Sequence, residues 1–448
     1  MKIKLQKILN ILTPFQLIAL YYVLAITISV VLLSLPVAHK GGVQWSFVDG
    51  LFTAVSAVSV TGLTVVNTAE TFSTAGYFIL ALVLQLGGIG IMTLGTLVWI
   101  IVGKRIGLKE RMLIMAEHNQ SHLSGIVKLI KQVLMLILLI EFIGGLILSL
   151  YFLTYYDAKE AFLHGFFASI SATTNGGFDI TGDSMVPFKD DYFVQLITMI
   201  LIILGAIGFP VLVEVKNFLF SRNQRTRFSL FSKLTTITFF FLVTGGAMGI
   251  FALEARFSFS GMSWHEILFY SLFQSVATRS GGLTTIDISQ FSEQTLLFIC
   301  ALMFVGASPS SVGGGIRTTT FALNLLALFH FARGNKSVKI FKRELYQEDL
   351  LKSLVVTMMA ILLVFASTLL LTITEKHSFV AVLFEVCSAF GTTGLSIGIT
   401  PDLTPFGKCV LMIIMFIGRI GILTMLYLIG RKVVEADYHY PKERVIIG

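Results

Sequence analysis

Apolar runs of two lengths alternate along the chain, and the alternation occurs four times. In each repeat a long run is followed by a short one, a polar segment with glycine, and a second long run. A helix needs about 20 apolar residues to cross a bilayer, so the long runs predict spans and the short runs predict re-entrant half-helices. The first spans are predicted over 14–37, 126–156, 233–253 and 350–374, the half-helices over 47–57, 161–172, 264–277 and 379–389, and the second spans over 74–102, 192–220, 294–331 and 405–430.

Every half-helix runs into the same eight-residue motif. The copies read SAVSVTGL at 56–63, SATTNGGF at 171–178, VATRSGGL at 276–283 and SAFGTTGL at 388–395. The second position is always Ala and the seventh is always Gly. Loops repeated around an axis can present a ring of backbone carbonyls to an ion. The predicted fold class is therefore all-α integral membrane, with four pseudosymmetric span–half-helix–filter loop–span repeats around one central pore.

These loops are candidates for a cation filter. A half-helix that enters from outside ends near the membrane centre, where its dipole places partial negative charge. The glycine lets the backbone turn without steric cost. The alternative is four unrelated tight turns, but the common register after four half-helices favours a filter. The candidate filter residues are Val60, Thr61, Gly62, Asn175, Gly176, Gly177, Ser280, Gly281, Gly282, Thr392, Thr393 and Gly394.

The second spans carry another motif in register, and repeat three departs from it. The copies read GGIG at 87–90, GAIG at 205–208, GASP at 306–309 and GRIG at 418–421. Such glycines often serve close helix packing. In repeat three, GASPSSVGGGIRTTT at 306–320 places proline and several small residues inside the span. We expect an irregular intramembrane loop there, with a simple kink or a surface loop as the alternative.

Arg419 lies inside the last predicted span, where an unpaired charge costs about 2.5–3.5 kcal/mol. It therefore needs acceptors, and the nearest candidates are loop carbonyls or the hydroxyls of Ser308, Ser310 and Ser311. A cation fixed below the filter would also repel a passing cation, so we hypothesise a movable gate held by Arg419. The candidate gate residues are Gly306, Ala307, Ser308, Pro309, Ser310, Ser311, Gly313, Gly314, Gly315 and Arg419.

Two further charges lie within apolar surroundings. Arg279, in the third motif, is expected to brace the loops by hydrogen bonds behind the filter, because in the pore it would oppose cations. Glu141, in a first span, is expected to have a structural partner, with a proton relay as the alternative.

Composition and charge place the chain in a membrane. Of its 448 residues 55% are hydrophobic and 13% charged, and the mean hydropathy is +0.86, which excludes a soluble domain of this size. Lys and Arg concentrate in the loops on one side, so both termini are predicted in the cytoplasm and the motif loops outside. The net charge of +8 is then an orientation signal, and no nucleic acid is expected. The three cysteines show no metal-type spacing.

The four-fold unit and its loops resemble the Trk/Ktr/HKT superfamily of potassium transporters, most closely the Ktr membrane subunit (KtrB or KtrD type). The resemblance implies channel-like potassium uptake in a bacterial cell (inner) membrane, with K⁺ at one filter glycine per loop and Na⁺ as a possible second ion. It also implies a gating loop in repeat three, matching 306–315, and an arginine in repeat four, matching Arg419. It implies a homodimer on a cytoplasmic nucleotide-binding ring of the KtrA or KtrC type. No GxGxxG unit or Walker loop occurs in this sequence, so no cofactor is expected in this chain.

The predicted repeats comprise 1–110, 111–228, 229–345 and 346–432, followed by a cytoplasmic tail, 433–448. The inner loops 103–131 and 333–352 and the tail are candidate docking surfaces, or ordinary positive flanks.

Two other functions compete with this interpretation. A coupled secondary transporter for another solute predicts broken helices in corresponding halves, whereas the sequence indicates a break only in repeat three. An intramembrane enzyme needs a nucleophile–base pair or a metal constellation, and the sequence offers none.

Overall fold

A computed structural model of the chain describes residues 12–90, 93, 111–113, 115, 125–220, 228–430, 441, 443 and 446. The predicted inner end of the second span in repeat one, most of loop 103–124 and most of tail 433–448 lie outside these residues. Among these described residues, four unbroken helices are long and apolar enough to cross a membrane, and each is the first span of one repeat. They are α1 (Pro14–Leu33), α5 (Ile126–Phe152), α9 (Leu230–Glu254) and α13 (Gln347–Thr374).

Four shorter helices follow these spans, and each leads into one copy of the motif. We call them pore helices: α2 (Phe47–Ser59), α6 (Ala158–Thr173), α10 (Trp264–Ala277) and α14 (Phe379–Gly391). Polar N-caps start them: the hydroxyl of Ser46 accepts the amide of Asp49 at 3.1 Å, and that of Ser378 accepts the amide of Ala381 at 3.3 Å. Each pore helix packs on the first span of its own repeat.

The second spans are α4 (Thr74–Gly88), α7 (Tyr192–Ala206) with α8 (Phe209–Phe220), α11 (Glu293–Phe304) with α12 (Thr318–Ala332), and α15 (Pro405–Ile420) with α16 (Ile422–Ile429). Each also packs on the pore helix of the following repeat: α4 on α6, α7 on α10, α11 on α14, and α15 on α2. The last contact closes the series, so the four repeats form a ring.

Breaks occur in the second spans of repeats two and four as well as in repeat three. The chain bends by 105° between α7 and α8 and by 100° between α15 and α16. The expectation that only repeat three is broken is therefore wrong. Both bends lie at the last glycine of the second-span motif, Gly208 (φ 104°) and Gly421 (φ 91°), and Gly90 has the same conformation (φ 92°). The α-helix cannot continue through a residue with positive φ. The sequence of the motif alone does not show that its last glycine adopts this conformation.

The remaining elements connect the spans. They are the helix α3 (Thr68–Thr71), the 3₁₀ turns Pro36–Ala38, Val186–Phe188 and Ile288–Gln290, and a hairpin of β1 (Lys339–Ile340) and β2 (Arg343–Glu344). Two glutamates connect first and second spans. Glu254 accepts the amide and hydroxyl of Ser292, both at 2.8 Å, and Glu375 accepts those of Thr404 at 3.1 and 2.5 Å.

Candidate functional site

The seventh-position glycines of the four motifs meet at one place. A Cβ added to Gly62 would lie 2.9 Å from the Cα of Gly177, and one added to Gly177 would lie 2.9 Å from the Cα of Gly282. A Cβ on Gly394 would lie 3.0 Å from the Cα of Gly62 and 3.1 Å from that of Gly282. All four glycines have positive φ, between 67° and 91°. No side chain larger than hydrogen fits at this point, so backbone alone surrounds it.

The residue two positions before each glycine is left-handed as well. Val60 (φ 58°), Asn175 (53°), Ser280 (75°) and Thr392 (47°) occupy this position and are buried. Left-handed backbone is uncommon outside glycine and costs about 1–2 kcal/mol per residue. Its recurrence at one register in four loops shows that the loops share a conformation, although their residues differ.

Hydrogen bonds hold each loop to the end of its own pore helix. The amides of Thr61, Gly176 and Thr393 donate to the carbonyls of Ser56, Ser171 and Ser388, at 2.8, 2.7 and 2.8 Å. These bonds run from just beyond each helix to its last turn, as in Schellman caps. In repeat three, Gly281 donates instead to the carbonyl of Ala277, at 2.7 Å.

The second-span glycines allow close approach to these loops. A Cβ on Gly87, Gly205 or Gly418 would collide with the carbonyls of Val58, Thr173 or Phe390. Each of those carbonyls belongs to the third motif position of the same repeat. The first glycine of the second-span motif therefore serves close packing, as expected from the sequence.

The segment between α11 and α12, residues 305–317, lies directly against loops three and four. A parallel bridge pairs Val305 with Ile316 at its ends. A Cβ on Gly313 would lie 2.6 Å from side-chain atoms of Ser280, and one on Gly314 would lie 2.7 Å from those of Thr392. The candidate gate residues of repeat three thus contact the left-handed residues of two candidate filter loops.

The same segment is hydrogen-bonded to the bend in repeat two. The amide of Ser308 donates to the carbonyl of Ala206 at 3.0 Å, and the amide of Phe209 donates to the carbonyl of Ser310 at 2.8 Å. A Cβ on Gly208 would lie 2.9 Å from the carbonyl oxygen of Pro309. The backbone groups that the bend releases are therefore bound by segment 305–317.

Arg419, at the end of α15, contacts two other repeats. Its guanidinium donates to the carbonyl of Val312 in segment 305–317 and to the carbonyl of Gly87 in repeat one. The loop-carbonyl partner agrees with the sequence-based expectation. The serine hydroxyls have other partners: Ser308 accepts the hydroxyl of Thr318 at 3.1 Å, and Ser311 donates to the carbonyl of Ser308 at 2.7 Å.

A second arginine at this place was missed by sequence reasoning. Arg317, immediately before α12, donates to the carbonyl of Gly313 and, at 3.4 Å, to that of Ser308. The sequence did contain a signal for it, because Arg317 lies two residues after three consecutive glycines in the predicted irregular loop. The guanidinium groups of Arg419, from repeat four, and Arg317, from repeat three, therefore bind the adjacent carbonyls of Val312 and Gly313.

The other two singled-out charges have structural partners. Arg279 is completely buried and donates to the carbonyls of Leu302 and, at 2.5 Å, Val305. Cationic groups stabilise helix C-termini, so Arg279 joins loop three to the end of α11. Glu141 accepts the amide of Gln85 at 2.6 Å. No group of three or more metal-ligating side chains occurs among the residues that the structure describes.

Comparisons with known proteins agree with this architecture. A family model described as TrkH, cation transport protein, matches residues 11–437. The chain is 76% identical to Ktr system potassium uptake protein D of Bacillus subtilis over 449 residues, which covers 100% of both chains. It is 38% identical to Ktr system potassium uptake protein B of the same organism over 441 residues, or 97% of each. The crystal structure of the potassium transporter TrkH from Vibrio parahaemolyticus superposes with a TM-score of 0.73 over 93% of this chain and 84% of that one, at 20% identity.

The structural likeness confirms the predicted all-α membrane fold with its four repeats. The sequence likeness confirms the resemblance inferred from the motifs. The chain belongs to the TrkH family of cation transport proteins, as a membrane subunit of the Ktr type.

Proposed function

We propose that this chain is the potassium-conducting subunit of a Ktr-type uptake system. The single observation that carries the proposal is the meeting of four in-register glycines, one from each repeat, at one buried point. Its relatives are named for potassium uptake, which makes K⁺ the first ion to test. Because these relatives are transport proteins, the proposal is a transporter and not an enzyme.

The proposed filter comprises the three residues that end at each glycine. Their carbonyls replace water around a dehydrated cation. The C-terminal ends of the four pore helices add partial negative charge, about half an elementary charge per helix. Because each loop is bonded to its own helix end, the ring keeps its size when an ion leaves.

The proposed gate is segment 305–317, which ends at Arg317, together with Arg419. It lies against loops three and four, where it blocks the path of an ion that has crossed the filter. Its two arginines add positive charge on that path. Opening requires the segment to break the contact between the carbonyl of Val312 and Arg419.

The remaining features follow from the same proposal. The chain forms a homodimer in a bacterial cell membrane with both termini in the cytoplasm, and a KtrA- or KtrC-like ring binds nucleotide and moves the gate. The repeat boundaries at 110, 228, 345 and 432 and the inner-loop docking surfaces belong to this proposal. Na⁺ is a second candidate ion.

One observation favours the coupled-transporter alternative. Broken helices in corresponding halves are typical of such proteins, and repeats two and four are bent by 105° and 100° at equivalent glycines. The two functions differ in stoichiometry, because a channel-like subunit carries potassium without obligatory movement of a second solute.

The test is complementation of a potassium-uptake-deficient bacterium on low-potassium medium, with and without a ring subunit. It is followed by radioactive rubidium uptake into vesicles that contain the purified chain. We expect growth, and rubidium uptake that excess K⁺ suppresses and a non-ionic solute does not. Absence of both would contradict the proposal, and uptake that stops without Na⁺ would favour the coupled transporter.

A further inference from the structure

Pore helix α14 contains a buried carboxylate that the proposed filter and gate do not use. Glu385 is 0% exposed, and its carboxylate accepts three hydrogen bonds. The hydroxyl of Ser396 donates at 2.5 Å, the hydroxyl of Thr400 at 2.8 Å and the amide of Ile397 at 3.3 Å. All three donors belong to residues 396–400, which begin two residues after Gly394.

Segment 396–400 is folded around this carboxylate. The hydroxyls of Ser396 and Thr400 lie 3.1 Å apart, and the amide of Gly398 donates to the hydroxyl oxygen of Ser396 at 2.9 Å. Gly398 has positive φ, 93°, so the segment turns back on itself. Glu385 is the centre to which the chain leaving loop four is bound.

Repeats one and two bind their loops in another way. The first-position serine does it there: Ser56 accepts the amide of Gly62 at 3.1 Å, and Ser171 donates to the carbonyl of Phe178 at 2.5 Å. In repeat four the equivalent hydroxyl, that of Ser388, has no hydrogen-bond partner among the residues that the structure describes.

In repeat four the carboxylate of Glu385, which lies about one helical turn before Ser388, binds the chain that follows the loop instead. At the position of Glu385 the other repeats have Thr53, Ala168 and Phe273, so the arrangement is particular to loop four.

We propose that Glu385 is a positioning residue for loop four and thereby for ion selectivity, an inference that rests on the proposed filter. Loop four also contacts two other parts of the site. The hydroxyls of Ser280 and Thr392 lie 3.1 Å apart, and Gly314 of the proposed gate lies against Thr392. Releasing segment 396–400 therefore moves the ring at a loop that touches both loop three and the proposed gate. A ring that widens on one side discriminates less between K⁺ and Na⁺.

The test is Glu385→Ala in the full chain with its ring subunit, reconstituted in vesicles. Rubidium uptake is measured against increasing K⁺ and, separately, against increasing Na⁺, and the ratio of the two inhibition constants, Na⁺ over K⁺, is the readout. We expect the discrimination to fall about tenfold, because three bonds to a charged group are lost. Glu385→Gln keeps the side-chain volume and can still bind Ile397 and Thr400, so it should recover part of that loss.

Glu375→Ala is the matched control. Glu375 is a buried glutamate of the same repeat and accepts two bonds from Thr404 at the start of α15, away from the loops. It should lower the melting temperature and leave the ratio unchanged. If Glu385→Ala does not accumulate, Ser396→Ala, which removes one donor, should lower the ratio a few-fold.

A wild-type ratio in Glu385→Ala, or in Ser396→Ala where the former fails to fold, would overturn the assignment of Glu385. Equal loss of the ratio in Glu375→Ala would do the same. Wild-type protein that carries no rubidium would instead overturn the proposed function.

Discussion

The four motif loops and segment 305–317 are both irregular backbone between helices, but they are held in different ways. Each motif loop is bonded to the last turn of its own pore helix, through amides such as Thr61 and Thr393. Segment 305–317 has bonds within its own repeat, such as that from Arg279, but it is also bonded to two other repeats: to Ala206 and Phe209 in repeat two and to Arg419 in repeat four. The loops are thus local structures repeated four times, and the segment is one tertiary structure.

This difference suits the loops to remain in place and segment 305–317 to move. Bonds to the end of its own helix restrain a loop, which suits a ring of constant size. A segment fixed by contacts with other helices can leave as a unit when those helices move. The two regions touch through small side chains, as at Gly313 with Ser280 and Gly314 with Thr392, and through the hydrogen bond from Arg279 of loop three to the carbonyl of Val305, where the segment begins.

The largest effect is expected from a methyl group in the ring. In Gly282→Ala the new Cβ would lie 2.7 Å from the Cα of Gly177 and 2.8 Å from the carbonyl oxygen of Thr393, and both are backbone atoms that cannot turn aside. We expect rubidium uptake to be lost. Gly261→Ala is the control, because Gly261 has positive φ (87°) but open space around it; it should cost about 1 kcal/mol of stability and retain uptake. Normal uptake by Gly282→Ala at normal protein level would refute the tight ring.

Arg419→Ala should have the next largest effect, in the opposite direction. It removes the guanidinium bonds to Val312 and Gly87. Hydrogen bonds to charged groups contribute about 1.5–3 kcal/mol, so opening should become about 10–100-fold more favourable. Rubidium uptake without the ring subunit should rise accordingly. Arg419→Lys keeps the charge but not both bonds, and should lie between; unchanged flux in Arg419→Ala would end the gate hypothesis.

Arg317→Ala should raise uptake less than Arg419→Ala does. Its bonds to Gly313 and Ser308 stay within segment 305–317, so its loss loosens the segment without breaking the bond to Arg419 of repeat four. Because both arginines act on one segment, the double variant should give less than the sum of the two effects in free energy. Strict additivity in the double-mutant cycle would indicate two independent elements.

The same contrast explains what the sequence could predict. The loops were predictable because the same local rules act four times in register, so that Gly62, Gly177, Gly282 and Gly394 stand out from the amino-acid sequence alone. Their left-handed neighbours were not predictable, because Val60 offers no local reason for a positive φ.

The irregular segment of repeat three was predictable only as a departure from the repeat. Proline and glycines indicate that a helix ends, not what the free backbone binds. The bends at Gly208 and Gly421 were not predicted for the same reason. The amide that is freed after Gly208 donates to the carbonyl of Ser310, about a hundred residues further along the chain. The bond between Arg419 and the carbonyl of Gly87 was not predictable either, because it forms only when repeats one and four meet to close the ring.

The smallest effect is expected at Glu141, which lies in neither region. Its carboxylate binds the amide of Gln85 and so joins α5 to α4, while the hydroxyl of Ser169 donates to its backbone carbonyl at 2.8 Å. Glu141→Gln keeps the volume, and the Gln85 amide can rotate to restore a bond, so uptake should stay within about twofold of wild type, as for most substitutions that preserve a contact. Glu141→Ala, which leaves the amide of Gln85 buried without an acceptor, should lower the melting temperature instead. Uptake by Glu141→Gln measured across pH decides between a partner and a relay, because a proton relay would lose its pH dependence with the carboxylate, whereas a structural partner would leave the profile unchanged.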